Sequence, residues 1–268
     1  MFTDKISPTD LSEYLQLCTR FADIDPNVAL AEIRAAIRQH DKKPFRVDDM
    51  KNMLRLQTTW NASLKKQFPA YSVYSDPYYF CEAWLCWVKY SRRYLKDISS
   101  PKSLNGKSVI SSMRSIKSIL DLGCGAGYTT ASLKEFFPRS SVYGTNVPDS
   151  SQFMMSSFLG KRHDFKIVKS HKKVKADLVF ASEYFEHFPD PVNHLIDVIE
   201  TTNFKFILFA NTFSSPAIGH FADYDVDDRK MTGREVGRAF RQTLRDYGYV
   251  KVETVLWNDR PSFWRKVK

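Results

Sequence analysis

The chain has 268 residues, 43% of them hydrophobic and 26% charged, with 40 Lys and Arg against 30 Asp and Glu for a formal net charge of +10. That length holds one large domain, or a core domain with an appended piece, and 14% aromatic residues with 10 Gly and 12 Pro exclude a mainly disordered chain. No apolar run reaches the ~18–20 residues of a membrane helix, and Met1-Phe2-Thr3-Asp4-Lys5 lacks the layout of a signal peptide. The expectation is a soluble, cytoplasmic protein with no membrane partner.

In chain order, residues 10–40 have helical spacing. Asp10 is placed to cap a first helix carrying Leu11, Tyr14, Leu15, Cys18 and Phe21, and Pro26 opens a second with Val28, Leu30, Ile33 and Ile37 on one stripe. A third helix is expected from Asp49 to about Phe68, where Pro69 ends it. The stretch from Tyr71 to Tyr94 is dense in rings: Tyr71, Tyr74, Tyr78, Tyr79, Phe80, Trp84, Trp87, Tyr90 and Tyr94. After a short β-like piece at Tyr71–Tyr74, Pro77 suits a first helical position, and apolar residues surround that helix to about Val88. Such a helix packs in a core, lines an aromatic pocket, or stacks on bases. Residues 98–114, rich in Ser, Lys and Gly, read as a linker or loop, dividing an N-terminal helical cap domain (1–114) from a second domain (115–268).

From there strand and helix patterns alternate. Strands are expected at Ser118–Leu122, Ser141–Thr145, Phe165–Val168, Asp177–Ala181, Phe204–Ala210 and Val250–Leu256. Helices are expected at Thr129–Phe137, Ser151–Leu159, Pro191–Thr201 and Thr232–Tyr247. That alternation argues an α/β fold with a mainly parallel sheet covered on both faces.

The charge is uneven. Residues 1–41 carry a net −3, residues 42–117 a net +10, and residues 118–268 a net +3. A second basic cluster, Lys161, Arg162, Lys166, Lys169, Lys172, Lys173 and Lys175, faces only Asp164. Patches of this kind concentrate anionic partners, nucleic acid among them, or simply solvate a surface. Cys18, Cys81, Cys86 and Cys124 form no Cys-x-x-Cys pair and have no His at zinc-ligand spacing, so reduced structural thiols and no metal site are expected.

The most informative segment is Asp121-Leu122-Gly123-Cys124-Gly125-Ala126-Gly127-Tyr128-Thr129, an apolar strand running into Gly-x-Gly-x-Gly and a helix. Glycines there let the backbone turn tightly and approach a ligand, and the helix start offers N–H groups to an anionic group. The segment resembles the first motif of the class I S-adenosyl-L-methionine-dependent methyltransferases. Asp177-Leu178-Val179-Phe180-Ala181-Ser182-Glu183-Tyr184-Phe185-Glu186-His187-Phe188-Pro189-Asp190-Pro191 is similar to that family's fourth strand and its exit. Its ending is that of the type 11 and type 23 subgroup, which mostly methylates small molecules. The resemblance covers about 115–257. It implies a Rossmann-like, seven-stranded, mostly parallel sheet and S-adenosyl-L-methionine as cofactor. The loop Gly123, Cys124, Gly125, Ala126, Gly127, Tyr128 and Thr129 would lie against the cofactor, with Asp121 holding its amino group. Asn146 and Val147 follow the second strand, where the family usually has an acid for the ribose, and Asp149 is placed to compensate. Ser182, Glu183 and Tyr184 are implied in cofactor or pocket contact.

Methyl transfer needs positioning more than a fixed triad, so the residues that could take a proton are candidates only: Glu186, His187 and His220. The amino-directed nucleic-acid motif is not matched at Ser182-Glu183-Tyr184-Phe185, Ser75-Asp76-Pro77-Tyr78-Tyr79 reads as a helix-start turn, and no Pro-Cys nucleophile occurs. The reading is transfer to O or N of a small-molecule acceptor. Two alternatives stay open: a DNA or RNA methyltransferase using the basic clusters 42–117 and 161–175, and a cofactor-binding protein that has lost catalysis, motivated by Asn146.

Overall fold

Residues of the central strands alternate between two cores. The computed structural model describes residues 9–66, 68–113, 115–255 and 261–267, with the side chains of 9 and 10 excepted. In it β1 (Ser118–Leu122), β2 (Ser141–Thr145), β3 (Lys166–Val168), β4 (Leu178–Ser182) and β5 (Phe206–Ala210) run parallel. A hairpin, β6 (Asp223–Val226) and β7 (Arg229–Thr232), stands apart. β8 (Tyr249–Val252) and β9 (Ser262–Lys266) complete a seven-stranded sheet of order β3-β2-β1-β4-β5-β9-β8, in which β9 is antiparallel to both neighbours. Ile119, Leu178, Phe180, Leu208 and Phe263 face one core, and Leu120, Leu122, Val179, Ala181, Ile207, Phe209 and Trp264 the other. This two-residue alternation is the strand's own periodicity, and burial of both sets makes the runs almost continuously apolar.

The first face is covered by α1 (Thr9–Ala22), α2 (Pro26–His40), α3 (Lys51–Lys65), α4 (Tyr79–Cys86), α5 (Arg92–Ser99) and a single turn α6 (Val109–Ser112), together with α7 (Tyr128–Phe136) and α8 (Ser151–His163). The second is covered by α9 (Pro191–Thr202) and α10 (Gly233–Asp246). Tyr14 of α1 and Phe80, Trp84 and Trp87 share one core with Ile119 and Phe180 of the sheet. No helix among the described residues is long and apolar enough to cross a membrane.

Several local expectations change. Tyr71–Ser75 is a 3-10 turn rather than a β-like piece. The ring-rich helix does not stop near Val88: α4 passes through a π-turn at Trp87–Ser91 directly into α5. The third helix closes at Lys65, leaving Phe68 81% exposed beyond it. Residues 98–114 are no open linker, since Ile98, Ser103, Val109 and Met113 are buried and the Ser103 hydroxyl bridges the Ile98 carbonyl and the Val109 amide. β9 escaped notice because its buried Phe263 and Trp264 are consecutive, facing opposite cores between Ser262 and Arg265, so no alternation shows. The expected end of the sixth strand, Leu256, and the Met1–Lys5 segment lie outside the described residues, as does the side chain of Asp10.

Helix starts follow the sequence closely. Asp25, Asp190 and Thr232 cap α2, α9 and α10 with their side chains, the last as a reciprocal capping box with Glu235. α3 is capped from elsewhere. Glu32 of α2, 1% exposed, accepts hydrogen bonds from the Asn52 and Met53 amides and from Asn52 Nδ2 (2.7–3.2 Å). A carboxylate at a helix N-terminus also gains from the helix dipole. Glu32→Ala leaves those donors buried without an acceptor, so urea unfolding should show a loss of about 2 kcal/mol, with Glu32→Gln losing less.

Candidate active site

The parallel strands end on one edge, and the chain reverses its direction of winding between β1 and β4, the place where open α/β sheets leave a crevice. A cavity of about 740 Å³ opens there. Its floor is the β1–α7 turn with Asp121, Gly123 and Gly125, and its far wall is the α4–π-turn–α5 segment with Glu82, Cys86, Trp87 and Tyr90. Every residue implied in cofactor binding lines it except Gly127, which starts α7 and packs on Ser156 of α8. Of the proton-transfer candidates, His187 and His220 line it and Glu186 does not.

Gly125 has φ +54°, a conformation costly for any residue with a side chain, and an ideal Cβ there would meet no atom nearer than 4.0 Å. Protein atoms therefore leave the space over this glycine to a ligand. Asp121 lies below, 2% exposed, accepting the Thr130 hydroxyl at 2.7 Å. Burial pushes its carboxyl up to about 7, the Thr130 bond opposing only in part.

Asn146 lines the cavity and also makes bonds within the protein. Its Nδ2 donates to the Gly125 carbonyl at 2.6 Å, and its Oδ1 accepts the Val147 amide at 2.9 Å. The amide thus ties the glycine loop to the end of β2, as do Thr145 Oγ1, which accepts from Gly123 N, and the Thr145 carbonyl, which accepts from Cys124 N. An acid could accept at this position but could not donate to a carbonyl. Asp149, the expected substitute, points away and pairs with Lys169 at 3.0 Å.

The β4 exit is held tightly. Tyr184 lays its ring over Gly123 and bonds His194 Nε2 through its hydroxyl at 3.0 Å. Ser182 accepts from Ser91 of the π-turn at 3.0 Å, joining the wall to the sheet. π-turns insert a residue into the helical ladder and shift which side chains face a site, and here Trp87, Tyr90 and Ser91 all reach the cavity. Glu186 is fully buried, with Asn211 Nδ2 and the Thr212 amide donating to its two oxygens. It anchors the loop after β5 and is not placed to take a proton from an acceptor in the cavity.

His187 bonds the Tyr74 hydroxyl through Nδ1 at 3.0 Å. Burial lowers its pKa to about 4, so the ring is neutral at pH 7. This bridge crosses Gly219 (φ +86°), where a Cβ would fall 2.2 Å from the Tyr74 oxygen and 2.4 Å from His187 Nδ1, so only glycine fits. His220 sits with its ring centroid 5.0 Å from that of His187. Its Nδ1 meets the Ser215 carbonyl at 2.8 Å. A carbonyl only accepts, so the proton is on Nδ1 and Nε2 keeps its lone pair. His220 is the better placed of the two to act on a ligand.

Sequence reasoning missed Glu82, Cys86, Ser91 and Gln152 as cavity residues. Glu82 carried a signal, as the one charge inside Phe80-Cys81-Glu82-Ala83-Trp84-Leu85-Cys86. Burial raises its carboxyl to about 7, with the Cys86 thiol at 3.8 Å opposing.

No protein-family model and no curated protein matches the chain. Similar solved structures include the N-methyltransferase NodS from Bradyrhizobium japonicum WM9 in complex with S-adenosyl-L-homocysteine, at 13% identity, 68% coverage of this chain, 88% of that one and a TM-score of 0.45. Another is the O-methyltransferase of a trans-AT PKS multienzyme of Brevibacillus brevis, also with S-adenosyl-L-homocysteine, at 14% identity, 64% and 56% coverage and a TM-score of 0.43. StiE O-MT residues 961–1257 match at 19% identity, 45% and 42% coverage and a TM-score of 0.34. The chain spans about half the length of these two O-methyltransferase chains.

The role of Asn146 is open to a direct test. If its amide staples the glycine loop, Asn146→Asp removes the donor to Gly125 and sets a carboxylate against a carbonyl. Calorimetry should then show affinity for S-adenosyl-L-homocysteine falling at least fivefold. Tighter binding by Asn146→Asp would mean that the position serves the ribose instead.

Proposed function

We propose that the chain is an S-adenosyl-L-methionine-dependent methyltransferase that transfers a methyl group to an oxygen or nitrogen of a small-molecule acceptor. The observation that carries the proposal is the continuous cavity running from the glycine turn of β1 to the aromatic wall of α4 and the π-turn. Its volume of about 740 Å³ suits a nucleoside cofactor with a modest acceptor beside it.

When bound, S-adenosyl-L-methionine supplies an electrophilic methyl carbon: the acceptor lone pair bonds to it while the carbon–sulfur bond breaks and its electron pair stays on sulfur. The residues present fit that group. The bare backbone at Gly125 admits the methionine part, and the buried Asp121 carboxylate offers an ammonium its counter-charge. Val147, Lys169, Ser170 and His171 line the end toward β2 and β3, where the resemblance puts the nucleoside. Tyr71, Tyr74, Tyr79, Trp87 and Tyr90 form an apolar wall with hydroxyl tips that would orient a flat or ring-bearing acceptor. His220 Nε2, with its proton placed on Nδ1, is positioned to take the acceptor's proton.

A small acceptor is favoured over nucleic acid because part of the basic cluster 161–175 is already engaged. Arg162 pairs with Glu13, Lys169 with Asp149 and Lys172 with Asp197. Lys169 is the only Lys or Arg among the cavity-lining residues. Tritiated methyl transfer to metabolite extract, DNA, RNA and protein panels tests this directly. Label is expected in the small-molecule fraction and absent with Gly125→Val. Label confined to DNA or RNA would favour the nucleic-acid reading, and none in any panel would favour a non-catalytic binder.

A second expectation follows from Asp121. Its ionised form is the one that would hold an ammonium, while in the ligand-free chain burial holds its pKa near 7. Cofactor affinity should therefore rise as pH passes upward through about 7 and level off above it, losing at most tenfold per pH unit below. Glu82 titrates in the same range, so calorimetry across pH 5.5–8.5 should compare wild type with Asp121→Asn. The slope is expected to flatten in the variant. An affinity that falls with rising pH would contradict the role of Asp121.

A further inference from the structure

We propose that Glu183 and His220 at one corner of the cavity, with Glu186 buried behind them, form a binding site for one divalent cation. The three residues come from the β4 exit, the turn after it and the loop after β5, yet one ligand atom from each lies within 4.8 Å of the others. Metal–ligand bonds of about 2.0–2.3 Å let ligand atoms sit up to about 4.6 Å apart across an ion. A few tenths of an ångström of side-chain rotation closes the set.

Two of the three ligands are oriented by a second partner. His220 Nδ1–H donates to the Ser215 carbonyl, which fixes the tautomer and leaves Nε2 as the coordinating atom. That is the usual support of a metal-bound imidazole. The Glu186 oxygens are oriented by Asn211 and the Thr212 amide, and no Lys or Arg forms an ion pair with Glu186 among the described residues. A fully buried carboxylate without a cationic side chain is costly, and a bound cation supplies the missing charge. Glu183 and His220 line the cavity and leave the remaining coordination positions facing it. His187, whose Nδ1 bonds the Tyr74 hydroxyl, lies outside the set.

Two carboxylates and one imidazole make a hard-to-borderline donor set suited to Mg²⁺, Mn²⁺ or Zn²⁺ rather than to thiophilic ions. The cysteine spacings that argue against a thiolate site do not bear on it. Resting on the methyltransferase reading, the site narrows the acceptor to one that presents an oxygen. The cation would hold that oxygen beside the transferred methyl and lower the pKa of its hydroxyl, the proton leaving to water. His220 then acts as a ligand rather than as the base.

The probe is Mn²⁺, followed by loss of the free-ion signal in electron paramagnetic resonance. Wild type should bind one Mn²⁺ per chain, and pulsed spectra should show a single imidazole nitrogen coupled to it. Glu183→Gln and His220→Gln should each weaken binding at least tenfold, with thermal melts confirming that both fold, whereas His163→Gln on α8 should leave it unchanged. Absence of stoichiometric Mn²⁺, or bound Mn²⁺ with no nitrogen coupling in the wild type, overturns the proposal without any variant. Equal affinity in both cavity variants overturns it as well. Calorimetry with S-adenosyl-L-homocysteine in the presence of a chelator is run on the same samples. Cofactor binding without Mn²⁺ binding sinks the cation site alone, and Mn²⁺ binding without cofactor binding sinks the methyltransferase reading.

Discussion

The geometry of the site depends on the backbone between β1 and α7 staying bare toward the cavity. Gly125 meets no protein atom within contact distance on that side, so nothing below the loop holds it in shape. The clamps come from beside it. Thr145 binds both Gly123 and Cys124, Asn146 binds the Gly125 carbonyl, and the Tyr184 ring covers Gly123. These contacts come from the ends of β2 and β4, the two strands that flank β1 in the sheet. Strand order thus decides which side chains can brace the turn.

The N-terminal helices complete the site from the other direction. Their core is continuous with one face of the sheet, and the Trp60 indole donates to the His220 carbonyl at 2.7 Å. Ser91 reaches Ser182, and Tyr74 reaches His187. Each of these three bonds joins the helical region to a strand end or loop at the carboxyl edge of the sheet, tying the wall to that edge. The electrostatics reverse between outside and inside. The chain carries +10 overall, whereas Glu82, Asp121 and Glu183 line the cavity against the single Lys169. A cavity of that sign attracts cationic groups, and both a sulfonium cofactor and a divalent ion satisfy it.

Much of this was legible in the sequence where local chemistry decides the outcome. The glycine turn, the helix opened by Pro26, and the five parallel strands follow from residue type and spacing alone. What escaped depended on distant partners. The β6–β7 hairpin has four-residue strands that are stable only as a pair over the second core. The π-turn follows from wall packing rather than from any helix-breaking residue, since Trp87–Ser91 contains no Gly or Pro. The bond from Asn146 to the Gly125 carbonyl could not be read, because that carbonyl lies in another loop. Glu186 looked like a proton acceptor beside His187, but it is fully buried and its two oxygens accept from Asn211 and the Thr212 amide, partners from a distant loop.

The most direct measurement is a crystal structure of the chain soaked with S-adenosyl-L-homocysteine. The expected result is density for the amino-acid part over Gly123 and Gly125, its ammonium against Asp121, and the sulfur facing the corner of Glu183 and His220. Density elsewhere, or an empty cavity at saturating ligand, would contradict a methyl-transfer site at the end of β1.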